Sequence, residues 1–145
     1  MKALKYTWDQ FEKDIVKIQK LVDFSKYKSL APVAFGGLPL GTKLKNITGL
    51  PTRIIFASSY KGHKRDALKV KTGDLDKLKS PVLLVEDLTD SGATLTFISN
   101  YLTRAKIKHD TLTLFYKEGS MFKPTYFLHT VKRDRWIYCP WEGLK

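Results

Sequence analysis

Apolar residues recur at helical spacing near the start of the chain, at Phe11, Ile15, Ile18 and Val22. Thr7-Trp8-Asp9-Gln10 before them has the form of a capping box, a hydroxyl residue followed three positions later by Glu or Gln. Together they predict a helix over about Trp8 to Val22. Pro32-Val33-Ala34-Phe35 is a short apolar run stopped by Gly36-Gly37, which reads as a buried strand entering a tight loop. Gly41 to Thr48 reads as a short helix closed by Gly49, with Pro51 beyond. Arg53 to Ala57 reads as a second strand. Tyr60 to Lys79 is rich in Lys, Gly and Asp without clear periodicity and predicts a mobile or partly hairpin excursion.

Pro81-Val82-Leu83-Leu84-Val85 is the clearest buried strand, and the spacing predicts a loop over Glu86 to Thr94. A helix follows over about Thr94 to Ala105, with Leu95, Ile98 and Leu102 on one face. Thr111 to Tyr116, Tyr126 to Val131 and Trp136 to Cys139 read as further extended pieces. Strands alternating with helices predict an α/β layer fold with a mainly parallel sheet. In such sheets ligands bind beyond the carboxyl ends of the strands. Three loops leave strand ends here: at Gly36-Gly37, at Glu86 to Thr94, and at Lys117-Glu118-Gly119.

Composition narrows the class. The chain has 145 residues, 43% apolar and 28% charged, which suits one globular domain and excludes disorder and coiled coil. One cysteine, Cys139, rules out an internal disulfide framework. No apolar run approaches the roughly 20 residues that span a bilayer, and residues 1–8 do not look like a signal peptide. The expectation is a cytoplasmic protein. With 26 Lys and Arg against 14 Asp and Glu, the formal charge is +12. That charge attracts polyanions without choosing among nucleic acid, nucleotide and pyrophosphate. The basic clusters at 61–65 and 132–135 read first as solvated surface.

Chemistry concentrates after the Pro81–Val85 run. Two adjacent acids, Glu86 and Asp87, follow a Val- and Leu-rich strand; a third acid, Asp90, then precedes Ser91-Gly92-Ala93-Thr94 at a helix start. Small residues let backbone approach a ligand, and free N–H groups at a helix N-terminus with the Ser91 and Thr94 hydroxyls make a phosphate cradle. Carboxylates do not bind phosphate directly; they hold ribose hydroxyls or a magnesium ion that bridges to phosphate. Acids beside such a cradle suggest a ribose 5-phosphate group. The plainer reading has Asp90 capping the helix and Glu86-Asp87 merely solvated.

Residues 82–95, Val-Leu-Leu-Val-Glu-Asp-Leu-Thr-Asp-Ser-Gly-Ala-Thr-Leu, resemble the phosphoribosyl pyrophosphate signature of the type I phosphoribosyltransferases. Tyr6 to Asp9, Gly36 to Leu38, Ser58 to Tyr60, Leu68 to Val70, Phe115 to Lys117 and Trp136 to Glu142 fall in the order seen in the bacterial xanthine-guanine subgroup. The resemblance implies the α/β fold of that family as a single domain. It also implies a lid at about 58–79 and a small base-binding hood at about 117–145. It implies transfer of phosphoribosyl to guanine, xanthine or hypoxanthine in purine salvage, with Mg2+, in a homo-dimer or homo-tetramer.

The resemblance also assigns residues. Asp90 would be the general base; an ordinary Asp titrates at roughly 3.9 and is ionised at neutral pH. Glu86 and Asp87 would hold ribose hydroxyls and the metal. Ser91, Gly92, Ala93 and Thr94 would bind the 5-phosphate, and Gly36, Gly37 and Lys69 the pyrophosphate. Lys117 would donate to the purine 6-oxygen, Trp136 would stack on the base, Ile137 would offer its carbonyl to a 2-amino group, and Glu142 would lie near base or metal. Trp141 reads as core packing. Two positions depart from the family pattern. Phe35 stands where relatives carry arginine in the pyrophosphate loop, and Tyr138 stands where they carry an acid. The second reading is a nucleic-acid-binding regulator that keeps the fold as a nucleotide sensor; the charge and Phe35 lean that way, while Asp90, Lys117 and Trp136 lean toward the enzyme.

Overall fold

The computed structural model describes residues 3–59, 68–71 and 75–143. In chain order its elements are β1 (Ala3–Lys5), α1 (Trp8–Leu21), β2 (Ser29–Ala34), α2 (Leu38–Thr48), β3 (Ile55–Ser59), β4 (Leu68–Val70), β5 (Val82–Thr89), α3 (Ala93–Arg104), β6 (His109–Lys117), β7 (Tyr126–Val131) and β8 (Trp136–Tyr138). Short 3-10 turns follow α1 at Phe24–Lys26 and follow β8 at Pro140–Glu142.

Six strands form one sheet in the order β4-β3-β2-β5-β6-β7. All neighbours are parallel except β4, which runs antiparallel to β3. Alternation along the central strands splits the core between the two faces. Leu30, Leu83, Val85, Leu112 and Leu114 pack with Phe11, Ile15 and Ile18 of α1 and Leu40 and Leu44 of α2. Ala31, Val33, Val82 and Leu84 pack with Leu95, Ile98 and Leu102 of α3. Strands buried on both faces read as continuous apolar runs, which is why 81–85 stood out.

The helix predicted from Trp8 ends within one residue of expectation. Its capping box is formed: the Gln10 amide donates to Thr7 Oγ1 at 3.1 Å and the Thr7 amide to Gln10 Oε1 at 2.9 Å. α2 begins three residues earlier than its pattern suggested, because Pro39 fits a first helical turn. Gly41 inside it lies against the Pro32 ring, leaving no room for a Cβ. β5 is longer than expected. It runs through Glu86 and Asp87 to Thr89, since β6 continues alongside it with Leu88 opposite Phe115 and Thr89 opposite Tyr116. The two acids therefore lie on a strand rather than in a loop.

The ends of the 60–79 excursion pair as a hairpin, Ala57 opposite Val70 and Ser59 opposite Leu68. Tyr60, Lys61, Lys64 and Arg65 lie outside the described residues, as does the Lys69 side chain. β1, a strand the apolar pattern did not predict, pairs in parallel with β8, Leu4 opposite Ile137. This two-stranded unit joins the first strand to the last, and the Tyr6 amide extends the ladder to the Tyr138 carbonyl at 2.9 Å.

Beneath that unit a polar cluster is buried. The Tyr6 hydroxyl donates to Asp14 Oδ2 at 2.5 Å and His129 Nε2 lies 2.7 Å from the same oxygen. Burial opposes charge on Asp14, but hydrogen bonds from His129 and Tyr6 and the nearby charges of His129 and Lys17 outweigh it and hold the carboxyl below its ordinary value. Burial and Asp14 push the Tyr6 hydroxyl up. The cluster lines a cavity of about 600 Å³ between α1 and β7, which Lys13, Lys17, Lys132 and Arg135 also border.

Asp14→Asn should cost about 1–3 kcal/mol, because buried donors lose a charged acceptor. A carboxyl with a lowered folded pKa contributes stability above its unfolded pKa and loses it as pH falls through the folded value. The gap between wild type and Asp14→Asn in urea melts should therefore narrow below the ordinary carboxylate range. A gap independent of pH across that range would remove the carboxylate from the cluster's stability.

Candidate active site

The turn after β5 is built by close packing. Gly92 has φ of 89°, a left-handed value, and a Cβ there would lie 2.7 Å from the Phe122 amide nitrogen and from Ser120 Oγ. Only glycine meets both demands. The Met121 amide donates to the Ser91 carbonyl at 2.9 Å, fixing this turn against the segment after β6. Gly92 is the N-cap of α3 and makes no side-chain cap bond; Ser91 Oγ accepts from the Ala93 amide at 3.2 Å. Asp90 is thus not the helix cap, and its carboxylate is free for other partners.

The first intrahelical bond runs from the Thr96 amide to the Gly92 carbonyl. The Thr94 and Leu95 amides, one turn earlier, have no intrahelical acceptor. They border a cavity of about 120 Å³ lined by Glu86 and residues 88–95. Thr89 lines it too, and its hydroxyl is buried without a hydrogen-bond partner among the described residues. Orphan helix amides, the positive helix end and hydroxyl donors around a small cavity favour one phosphate-sized anion. Nothing in the sequence sets Thr89 apart; only the fold puts it beside this cavity.

Glu86 and Asp87 stand on the next strand positions. The Asp87 amide donates to Glu86 Oε1 at 3.0 Å. Desolvation, then the charge of Asp87, raises the Glu86 pKa well above the ordinary carboxylate range. Asp87 is raised mainly by desolvation, against hydrogen bonds from Glu86 and from Trp141, whose indole N–H lies 3.4 Å from Oδ2. Trp141 packs in an aromatic cluster with Tyr6, Trp8 and Phe11, as core packing required, and also reaches this acid. Two adjacent carboxylates short of water fit a hard divalent cation. Such an ion takes one or two protein carboxylates and completes its shell with water and substrate oxygens. Among the described residues no group of three or more His, Cys, Asp or Glu could form an all-protein metal cage.

The loop after β2 closes on the same acids. A Cβ on Gly36 would lie 2.6 Å from Asp87 Oδ1, and Gly37 sits against the Val85 and Val33 carbonyls with no space for one. The Ala34–Phe35 peptide is cis. Phe35 is 78% exposed and lies edge-on to Phe56, ring centroids 6.2 Å apart, with Lys71 Nζ 5.5 Å from the Phe56 ring. The aromatic ring is therefore not there to fill the core.

Lys117 ends β6, buried to 5% exposure. Its Nζ lies 3.6 Å from Asp90 Oδ2 and 5.9 Å from the Trp136 ring centroid. Trp136 is 46% exposed, with Tyr138 edge-on beside it. The structure thus brings Asp90, Lys117 and Trp136 together. Ile137 is buried in the β1–β8 ladder. Glu142 turns back on its own chain, Oε2 accepting from the Cys139 amide at 2.6 Å, while its charge adds to the rise at Asp87. Arg133, read as solvated surface, reaches Asp90 Oδ1 at 3.2 Å.

No family model matches the chain. It is 24% identical over 144 residues to xanthine-guanine phosphoribosyltransferase of Nitratidesulfovibrio vulgaris, covering 98% of this chain and 86% of that protein. It is 26% identical over 140 residues to xanthine-guanine phosphoribosyltransferase of Idiomarina loihiensis, covering 94% and 84%. Among solved structures, the purine phosphoribosyltransferase of Pyrococcus horikoshii superposes with a TM-score of 0.83 at 25% identity, covering 100% of this chain and 97% of that one. The xanthine-guanine-hypoxanthine phosphoribosyltransferase of Helicobacter pylori superposes at 0.84 with 26% identity, covering 97% and 94%. These likenesses span the sheet, the turn after β5 and the β1–β8 unit alike, and they do not favour the regulator reading. By sequence and fold together, the chain has the fold of the type I phosphoribosyltransferases and resembles the xanthine-guanine phosphoribosyltransferases.

Proposed function

We propose that the protein transfers the phosphoribosyl group of phosphoribosyl pyrophosphate to a 6-oxopurine, giving the nucleoside monophosphate and pyrophosphate in a cytoplasmic salvage step. One observation carries this reading. A carboxylate, Asp90, stands at the mouth of a phosphate-sized helix-end cavity, 3.6 Å from the buried ammonium of Lys117, which in turn lies over the exposed ring of Trp136.

Each group has a defined task. The Thr94 and Leu95 amides, with the Ser91, Thr94 and Thr89 hydroxyls, grip the 5-phosphate. Gly92 and Ala93 supply the close backbone. Glu86 and Asp87 hold the ribose hydroxyls and Mg2+, which when bound neutralises pyrophosphate charge. Gly36 and Gly37 bring main chain up to the pyrophosphate; Lys69 belongs with them in this reading. The purine stacks on Trp136, and Lys117, a donor that cannot accept, favours an exocyclic oxygen over an amino group. Ile137 offers its carbonyl to a 2-amino group, and Glu142 acts through its charge on Asp87.

The purine ring nitrogen then attacks the sugar C1 as the bond to pyrophosphate oxygen breaks. The sugar carries oxocarbenium character, and Asp90 receives the proton that the purine loses. The segment over 58–79 serves as the lid and 117–145 as the hood, and the assembly is a homo-dimer or homo-tetramer.

Asp90→Asn should lower kcat by roughly 10²- to 10⁴-fold, the usual worth of a general base, with phosphoribosyl pyrophosphate binding little changed. Steady-state kinetics with guanine and isothermal titration check both, and undiminished turnover removes Asp90 from proton transfer. Lys117→Met should raise KM for hypoxanthine by about tenfold or more, the loss of a charge-assisted hydrogen bond. Parallel loss with adenine would show that Lys117 does not read the 6-position. Phe35→Arg should tighten pyrophosphate inhibition by about tenfold, since a guanidinium adds paired donors; an unchanged inhibition constant means the loop presents position 35 away from the ligand.

A further inference from the structure

The guanidinium of Arg133 is tied at three points. Its Nη1 lies 3.2 Å from Asp90 Oδ1, its Nη2 donates to the Asp90 carbonyl oxygen at 2.6 Å, and its Nε donates to the Glu118 carbonyl oxygen at 3.1 Å. One side chain, from the turn between β7 and β8, thus grips both the carboxylate and the main chain of residue 90. It also grips the strand end that carries Lys117. The Arg135 amide donates to the Lys132 carbonyl at 3.0 Å, closing this turn, and the Glu118 amide donates to the Val131 carbonyl at 2.9 Å, holding the turn against β6.

We infer that Arg133 is the positioning residue for the Asp90 carboxylate, an inference that rests on Asp90 being the base. The Asp90 side chain is 55% exposed and has little packing to fix its rotamer. Lys117 holds Oδ2 and Arg133 holds Oδ1, so each oxygen has a cation. When a purine draws the Lys117 ammonium to its 6-oxygen, Oδ2 loses part of its partner. Arg133 then keeps the carboxylate aimed, because its contacts to the two carbonyls do not depend on the base. A carboxylate oxygen has two lone pairs, so Oδ1 can accept from Arg133 while Asp90 still receives the purine proton. A planar guanidinium with donors in a fixed fork can serve three acceptors at once; an ammonium on a flexible stem does so with far less order. Arg133 stands beside the site and orients Asp90 without touching substrate.

The test is a double-mutant cycle with guanine as acceptor. Arg133→Ala should lower kcat by about tenfold, as for one oriented charge-assisted hydrogen bond, with KM for phosphoribosyl pyrophosphate within about twofold of wild type. Arg133→Lys should recover only part of the loss, and free guanidinium added at millimolar levels should restore activity to Arg133→Ala. In the Asp90→Asn background, Arg133→Ala should cost nothing further, because it acts only through the missing carboxylate. Thermal melts of each variant check folding, and Arg133→Lys keeps the test open if the alanine variant melts early. A full, additive loss in the Asp90→Asn background, or full turnover in folded Arg133→Ala, overturns the inference while leaving Asp90 as the base. Full turnover in Asp90→Asn alone overturns the reading of Asp90 itself, and the role of Arg133 with it.

Discussion

The arrangement depends on the parallel pairing of β5 with β6. Seven residue pairs run in register from Val82 opposite His109 to Thr89 opposite Tyr116. Backbone hydrogen bonds fix that register, and burial on both faces prevents a slip, since shifting by one residue would turn every core side chain around. The register sets the two strand ends level. Asp90 leaves one end and Lys117 closes the other, so acid and cation meet at 3.6 Å without any search by flexible loops. Sites placed this way are held by the sheet, and the short turn after β5 needs only to present its amides.

A second constraint is steric. Gly36 and Gly37 let the loop after β2 lie directly on Asp87 and on the Val85 carbonyl, and Gly92 lets the turn after β5 fold under the Ser120–Phe122 segment. Each contact closes one loop onto a neighbouring strand end. Acids short of water result, because backbone and Trp141 crowd the Glu86-Asp87 pair. The same crowding leaves those charges short of water, a cost that a divalent cation would offset in the proposed function.

Much of this was legible in the chain. Helix faces at Phe11, Ile15 and Ile18 and at Leu95, Ile98 and Leu102 pack as their spacing required. The turn of residues 90–94 was readable because glycine, small and hydroxyl residues together serve few purposes besides backbone approach. What escaped was long-range. β1 is three residues, too short for periodicity, and exists because β8, over 130 residues later, pairs with it. β5 outran its apolar run because partner backbone, not side-chain type, decides where a strand stops. Arg133 looked like solvated charge among Lys132, Asp134 and Arg135; only the fold shows that one arginine of that cluster turns toward Asp90.

Phe35 stands at one end of the candidate site and contributes little to it. The proposed sugar-phosphate end gathers helix amides, hydroxyls and acids from β5, the turn after it and α3. At the pyrophosphate end the Gly37 amide already donates to Val33 O at 2.8 Å and the Leu38 amide to Phe35 O at 3.0 Å, so main chain there is partly committed to the turn itself. An exposed ring at position 35 adds neither charge nor donor, and its edge contact with Phe56 contributes little more than about 1 kcal/mol. In the proposed function, retention of pyrophosphate would then fall to a metal held by Glu86 and Asp87 and to cations outside the β2 loop. In the proposed transfer pyrophosphate is the leaving group and gains negative charge as its bond to the sugar breaks, so a cation missing at that end would bear on kcat as well as on affinity. In the proposed reading Phe35 bears on the hold on the leaving group, while Asp90, Lys117 and Arg133, gathered at the other strand ends, bear on proton transfer and recognition of the base.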